Sequence, residues 1–266
     1  MQFCRQVLGV QKNTTNFGVL LELGRTPLTI EAQRLSIKNW ERIRGGKGND
    51  LVTKSYQNAC TEMLDWHQAI GNLLSNQGMH YRLTEPSPKN VDKAFVGRAR
   101  DIYHQEAFSD LNDPKAKLRT YGFIKHDIGR EDYLVQIKNT KLRQKLTKFR
   151  LSNHKLMIEL GRHTNLDKDK RICQICHEEV EDEIHFMIKC KFYDALRKPL
   201  FDHCSQLRPQ FLYYSDKEKF QYVMSTPAIL NYMSKFLDDA MKDREIHLEV
   251  SSSLTCILEK ICKTAP

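Results

Sequence analysis

Residues 138–193 read KNTKLRQKLTKFRLSNHKLMIELGRHTNLDKDKRICQICHEEVEDEIHFMIKCKFY, a basic run followed by a cysteine-rich one. In the first part Leu142, Leu146 and Phe149 recur at spacings of four and three, the rhythm of one apolar helix face, and Thr140 stands where a cap belongs. In the second part Cys173, Cys176, His185 and Cys190 follow one another as Cys-x2-Cys-x8-His-x4-Cys. A helix leading into a small metal-held insertion is the local expectation, with a short strand at Leu156-Met157-Ile158 between them.

The Cys-x2-Cys pair places two thiolates on one tight knuckle, and the later His and Cys supply the other two corners of a tetrahedron. Three sulfurs and one imidazole select Zn²⁺ over Mg²⁺ or Ca²⁺, and four protein ligands close the shell, so the expected metal is one structural zinc. Positions five apart on an ideal helix point about 140° away from each other. His185 and Cys190 therefore converge only where the helix ends or loosens near Lys189. The competing account is four unrelated residues, two of them ordinary core cysteines, and His203 or Cys204 stands as a rival ligand.

Working outward, nearly every stretch reads as helix. Thr26-Pro27 opens one, with Leu28, Ala32, Leu35 and Ile43 marking its apolar face up to Gly45-Gly46. Asp50 caps a longer one through Val52, Tyr56, Ala59, Met63, Ile70 and Leu74 to Gly78. Pro86-Ser87-Pro88 reads as a linker, after which Val91, Phe95, Ala99, Ile102 and Phe108 trace a helix that stops before Asp113-Pro114. Phe192–Leu207 and Ala228–Met241 complete the set. The expected class is all-α: irregular helical bundles with a CCHC knuckle near residues 171–195, in segments 1–85, 89–170, 171–204 and 205–266.

The chain has 266 residues and a formal net charge of +9, and that charge is localised. Residues 115–172 hold 16 Lys/Arg against 6 Asp/Glu, a net of +10, which leaves the remainder at −1. From Lys138 to Leu156 there are seven basic residues, Lys138, Lys141, Arg143, Lys145, Lys148, Arg150 and Lys155, and no acid. Solvated helix faces usually mix signs, and unrelieved repulsion points instead to a track for phosphates, hence to RNA or DNA as partner. Residues 178–183, Glu-Glu-Val-Glu-Asp-Glu, would repel phosphates, so only the far edge at Lys189 and Lys191 is expected to face a nucleic acid.

Other classes are disfavoured. No apolar run reaches the roughly 18–20 residues of a membrane span, and no charged leader with an apolar h-region opens the chain, so no membrane partner and an intracellular setting, nucleus or cytoplasm, are expected. Gly45-Gly46-Lys47-Gly48 lacks the spacing and the Ser/Thr of a phosphate-binding loop. Asp238-Asp239 lies in a helical pattern rather than on the strand a polymerase aspartate pair needs. No nucleophile–base order is visible, and an enzyme is not expected.

Several stretches resemble the region downstream of the polymerase core in the reverse transcriptases of non-LTR (LINE-type) retrotransposons. They are Phe3-Cys4-Arg5-Gln6-Val7-Leu8-Gly9-Val10, Asn16, Val19, and Glu22-Leu23-Gly24-Arg25-Thr26-Pro27-Leu28. They continue with Leu118-Arg119-Thr120-Tyr121-Gly122, Leu151-Ser152-Asn153-His154-Lys155-Leu156 and Glu159-Leu160-Gly161-Arg162. The cysteine cluster with Glu183-Ile184-His185-Phe186 and Cys190-Lys191-Phe192-Tyr193 completes them, and the resemblance spans roughly residues 3–200. It implies a helical post-polymerase section ending in a zinc knuckle with Cys173, Cys176, His185 and Cys190 as ligands, associated with binding RNA or DNA. Neither palm nor endonuclease falls within it, so the expectation is a fragment without polymerase activity. A protein partner at the apolar helices of residues 1–76 is the expectation that competes with nucleic-acid binding.

Overall fold

The computed structural model describes residues 1–62, 65–85, 89–112 and 117–264, with side chains except at 112, 252 and 254–264. Met63, the Pro86-Ser87-Pro88 linker and the Asp113-Pro114 helix stop lie outside the described residues. The helices in chain order are α1 (Gln2–Leu8), α2 (Asn16–Glu22), α3 (Leu28–Arg44), α4 (Asp50–Thr61), α5 (Asp65–Asn76) and α6 (Val91–Asn112). They continue as α7 (Tyr133–Gln136), α8 (Thr140–Arg150), α9 (Met157–His163), α10 (Asp194–Leu207), α11 (Asp216–Ser225) and α12 (Leu230–Thr264). The described residues contain no strand, only two isolated antiparallel bridges, Leu23 with Arg130 and Ile172 with Val180. The expected strand at Leu156-Met157-Ile158 is instead the start of α9: Leu156 is its extended N-cap, and its carbonyl accepts Leu160 N–H at 3.1 Å, which opens the helix.

The chain forms two compact units, residues 25–110 and residues 1–24 with 111–266, so the expected segments 1–85 and 89–170 are each shared between the two. In the smaller unit Ile30, Ile37 and Trp40 of α3 pack with Ile70 and Leu74 of α5 and Val91, Phe95 and Ala99 of α6. Trp40 is fully buried, and its indole N–H donates to the Tyr56 hydroxyl at 3.1 Å, which satisfies the one polar atom its burial removes from water. Of the expected apolar face of α3 only Ile43 is buried: Leu28 is 83% and Leu35 52% exposed and Ala32 is exposed, whereas Ile30, Ile37 and Trp40 are buried beside Ile43. Both series obey helical spacing, and the partners on α5 and α6 decide which faces in. The α4 cap is Asn49, whose side chain accepts from Val52 N–H, rather than Asp50.

In the larger unit α8 packs against α12 and α1, and α12 also packs against α10 and α11. Its aromatic centre is Phe186, with Phe149 at 5.8 Å, Tyr193 at 4.8 Å and Phe236 at 6.3 Å between ring centroids. Burying each such side chain contributes about 1.5–3 kcal/mol. The α8 cap is Asn139, which accepts from Lys141 and Leu142 N–H at 3.0 and 3.3 Å, one residue before Thr140. Gly24 turns the chain after α2 with φ +62°; a Cβ there would lie 2.3 Å from the Arg130 nitrogen, so this crossing admits only glycine. No helix among the described residues is long and apolar enough to cross a membrane.

Candidate metal centre and adjoining basic face

Cys173 and Cys176 sit on a tight turn in which Cys173 N–H donates to Glu179 O at 2.8 Å and His177 N–H donates to Cys173 O at 3.0 Å. His177 takes φ +59° at the turn and is exposed, outside the cluster, and the Ile172–Val180 bridge closes the base of the loop. Asp182 accepts His185 N–H at 2.7 Å and so starts the turn that carries the other two ligands. That turn, His185–Lys189, is π-helical, and Cys190 N–H donates to His185 O at 2.8 Å. An i→i+5 hydrogen bond widens the turn until residues five apart stand one above the other, which removes the 140° obstacle an ordinary helix presents.

The ligand atoms of Cys173, Cys176, His185 and Cys190 all lie within 4.8 Å of one another, and Cys176 Sγ is 3.3 Å from His185 Nε2. Such a cluster of three sulfurs and one imidazole nitrogen can hold one metal ion. The rival ligands are elsewhere: Cys204 is buried outside the cluster, and the His203 ring stacks on Tyr232 at 4.1 Å. A hydrogen bond from Cys190 brings the Cys173 thiol down to about 3 against the opposing effect of burial, and the same bond pushes Cys190 well up. Burial works against the charged imidazole of His185, but the neighbouring Cys173 sulfur and Glu179 carboxylate raise its pKa. His185 Nδ1 makes no hydrogen bond, and Glu179 Oε2 lies 3.6 Å from it, where an outer carboxylate would fix the tautomer of a liganding imidazole.

Sequence reasoning missed the residues that hold this turn in place. Arg197, buried in α10, donates to Met187 O and Cys190 O at 2.8 Å and so satisfies the carbonyls at the end of the wide turn. The acidic run is also not the repelling surface expected of it. Glu181 and Glu183 are completely buried. Glu181 is gripped by Arg244 of α12 at 2.7 and 2.8 Å and accepts Met157 N–H at 2.7 Å. Glu183 takes two bonds from Arg119 at 2.8 Å, with Ser152 at 3.1 Å and His154 at 3.0 Å. Asp182 is spent on His185 N–H, and the two exposed glutamates pair with the knuckle's own lysines, Glu178 with Lys191 at 3.1 Å and Glu179 with Lys189, so the edge expected to meet a nucleic acid carries compensated charge.

The seven basic residues of the α8 region separate into two groups. Arg150 is 2% exposed, and its guanidinium is shared between Glu22 at 2.6 Å and Glu131 at 2.5 Å, with the Tyr121 and Tyr133 rings against it. It is a structural cation and is unavailable to a phosphate, which corrects its place in the expected set. Arg143 donates to Ile137 O at 3.1 Å, and Lys145 pairs with Asp238 of α12. Lys138, Lys141 and Lys155 are exposed and Lys148 is half-buried; among the described residues only Lys155 of these four has an ion-pair partner, Glu245 at 3.8 Å. Asp238, in the helical pattern expected of it, is mostly covered and holds Lys145 and Lys242.

Beside this face a cleft of about 500 Å³ opens within the larger unit, lined by residues from the end of α8, the following turn, α9 and α12. Compared with known proteins, the chain matches no family model, no curated protein and no solved structure.

Proposed function

We propose that the protein is a non-catalytic nucleic-acid-binding module descended from the post-polymerase region of a non-LTR retrotransposon reverse transcriptase, with one structural zinc at Cys173, Cys176, His185 and Cys190. The observation that carries the reading is the outward basic face: Lys138, Lys141 and Lys148 have no carboxylate partner among the described residues, and Lys155 has only a long, exposed one. Unpaired lysines along and just beyond one helix are an unfavourable arrangement for an isolated chain and a favourable one for a phosphate backbone, which releases counterions when it binds. Zinc fits the donor set because soft thiolates with one imidazole suit it, and four protein ligands leave no position for substrate. The metal's part is then to fix the knuckle, and through Glu183 and Arg119 the segments that flank α8.

Four lysines on phosphates predict that log K for an oligonucleotide falls with log[salt] at a slope of about −3 to −4. Fluorescence anisotropy across a salt series measures it, and affinity that does not change with salt would overturn the reading. A second reading, a remnant that docks on another protein, is favoured by exposed apolar side chains on α1 (Phe3, Val7) and on α3 (Leu28, Leu35). Dye binding or self-association that is abolished by Leu28→Ser with Leu35→Ser, in a protein that ignores oligonucleotides, would establish that reading instead.

A further inference from the structure

We propose that the cleft beside α8 seats one unpaired nucleotide, so that this protein selects single-stranded over duplex nucleic acid. The proposal rests on the nucleic-acid reading above and names the form of ligand that reading leaves open. The cleft, at about 500 Å³, falls in the size range of small-ligand sites, about 300–1,000 Å³. Its lining is of two kinds. Phe149, Leu160, Leu237 and Met241 supply an apolar surface, and the exposed ring of His163 supplies a flat face. Lysines supply the charge.

A track for phosphates alone needs no apolar floor. A duplex keeps its bases paired and stacked inside and offers this concavity only its sugar–phosphate rim, whereas an unpaired base can enter and bury its face. The two carboxylates in the lining are already engaged, Glu159 with Arg119 at 2.8 Å and Glu245 with Lys155 at 3.8 Å. Lys117 and Lys148, neither ion-paired among the described residues, remain for the phosphate.

Polar recognition groups are present at the same place. Asn153 holds Asn13 and the Gln11 N–H through bonds of 3.4 Å, long enough to be exchanged for the edge of a base. The apolar floor, the free lysines beside it and the exchangeable amide of Asn153 all belong to one cleft on one side of the basic helix.

The test compares a labelled 12-nucleotide single strand with the corresponding blunt duplex in anisotropy titrations at one salt concentration, using the full chain. The expected result is at least tenfold tighter binding of the single strand. Leu160→Trp, which fills the cleft from its exposed rim, is expected to erase that preference while duplex affinity and melting temperature stay unchanged. Should that variant fold poorly, His163→Ala on the exposed end of α9 is expected to weaken single-strand binding about tenfold, as loss of a stacking face does. Equal affinity for both forms would overturn the single-strand proposal and leave the nucleic-acid reading standing. Failure to bind either form would overturn both.

Discussion

The cysteine knuckle and the basic helix were each picked out by spacing in the sequence, yet they fold to opposite effect. At the knuckle all four marked residues converge, with ligand atoms within 4.8 Å. At α8 the marked residues diverge: Lys138 and Lys141 face water, whereas Arg150 is locked between Glu22 and Glu131 in the interior. The difference follows from how each set is constrained. Ligands must share one ion-sized point, so their spacing encodes their geometry. Cations need only avoid one another or find carboxylates, and the carboxylates come from distant sequence. Arg244 with Glu181 and Arg119 with Glu183 repeat the pattern, so a count of basic residues overstates the charge available at the surface. Arginine is the interior cation in each of these pairs, as its planar, multiply donating head favours.

The largest effect is expected at the point of convergence. Removing the metal with a chelator, or one ligand by Cys190→Ser, should unfold the knuckle and lower the melting temperature by 10 °C or more at an order-of-magnitude level, because metal-binding free energy is folding free energy there. Chelator should have no further effect on the variant. A native protein whose calorimetric melting ignores chelator breaks this half of the comparison.

Next comes Arg150→Ala. It leaves Glu22 charged and unpaired in the interior and should cost about 3–5 kcal/mol, read from denaturant midpoints. Lys148→Ala, two residues earlier on the same helix, should change stability by less than about 0.5 kcal/mol while making the salt slope of oligonucleotide binding shallower by about 0.7. Equal effects of the two substitutions on either quantity would erase the distinction between inward and outward cations.

The sequence made the ligand set and the need for a loosened turn readable, because both follow from chemistry within twenty residues. The inward turn of Arg150 left one local sign: it stands four residues after buried Leu146, on the apolar side of α8. Its partner Glu22 left another, since it ends the run Val19-Leu20-Leu21, three buried residues. What pairs them lies 128 positions apart and has no local signature. The same limit explains α3, where two stripes at helical spacing competed and long-range packing chose Ile30 and Ile37 over Leu28 and Leu35. Arg197 and Arg244 were invisible for that reason too: each contacts the knuckle from a later helix.

A smaller effect tests the intermediate case, Lys145. Burial opposes the charge of Asp238, but hydrogen bonds from Lys145 and Lys242 hold its carboxyl below the usual aspartate value. A depressed carboxylate pKa contributes stability that is present above the ordinary aspartate range and is lost as pH falls through the folded value. Asp238→Asn should therefore be less stable than the native protein at pH 7, by under about 1 kcal/mol, and indistinguishable from it in strong acid. The freed Lys145 should steepen the salt slope by about 0.7, and a slope that does not move would mean that Lys145 lies off the phosphate path.

The division of cations is tested most directly by lysine acylation footprinting, read residue by residue in a mass spectrometer with and without a single-stranded oligonucleotide. Lys138, Lys141, Lys148 and Lys155 should react in the free protein and be protected by the strand, while Lys125, bonded to Gly129 O and Glu131 at 2.5 and 2.6 Å and buried, should stay unreactive in both states. No protection, or protection confined to lysines away from α8 such as Lys217 and Lys235, would contradict the account.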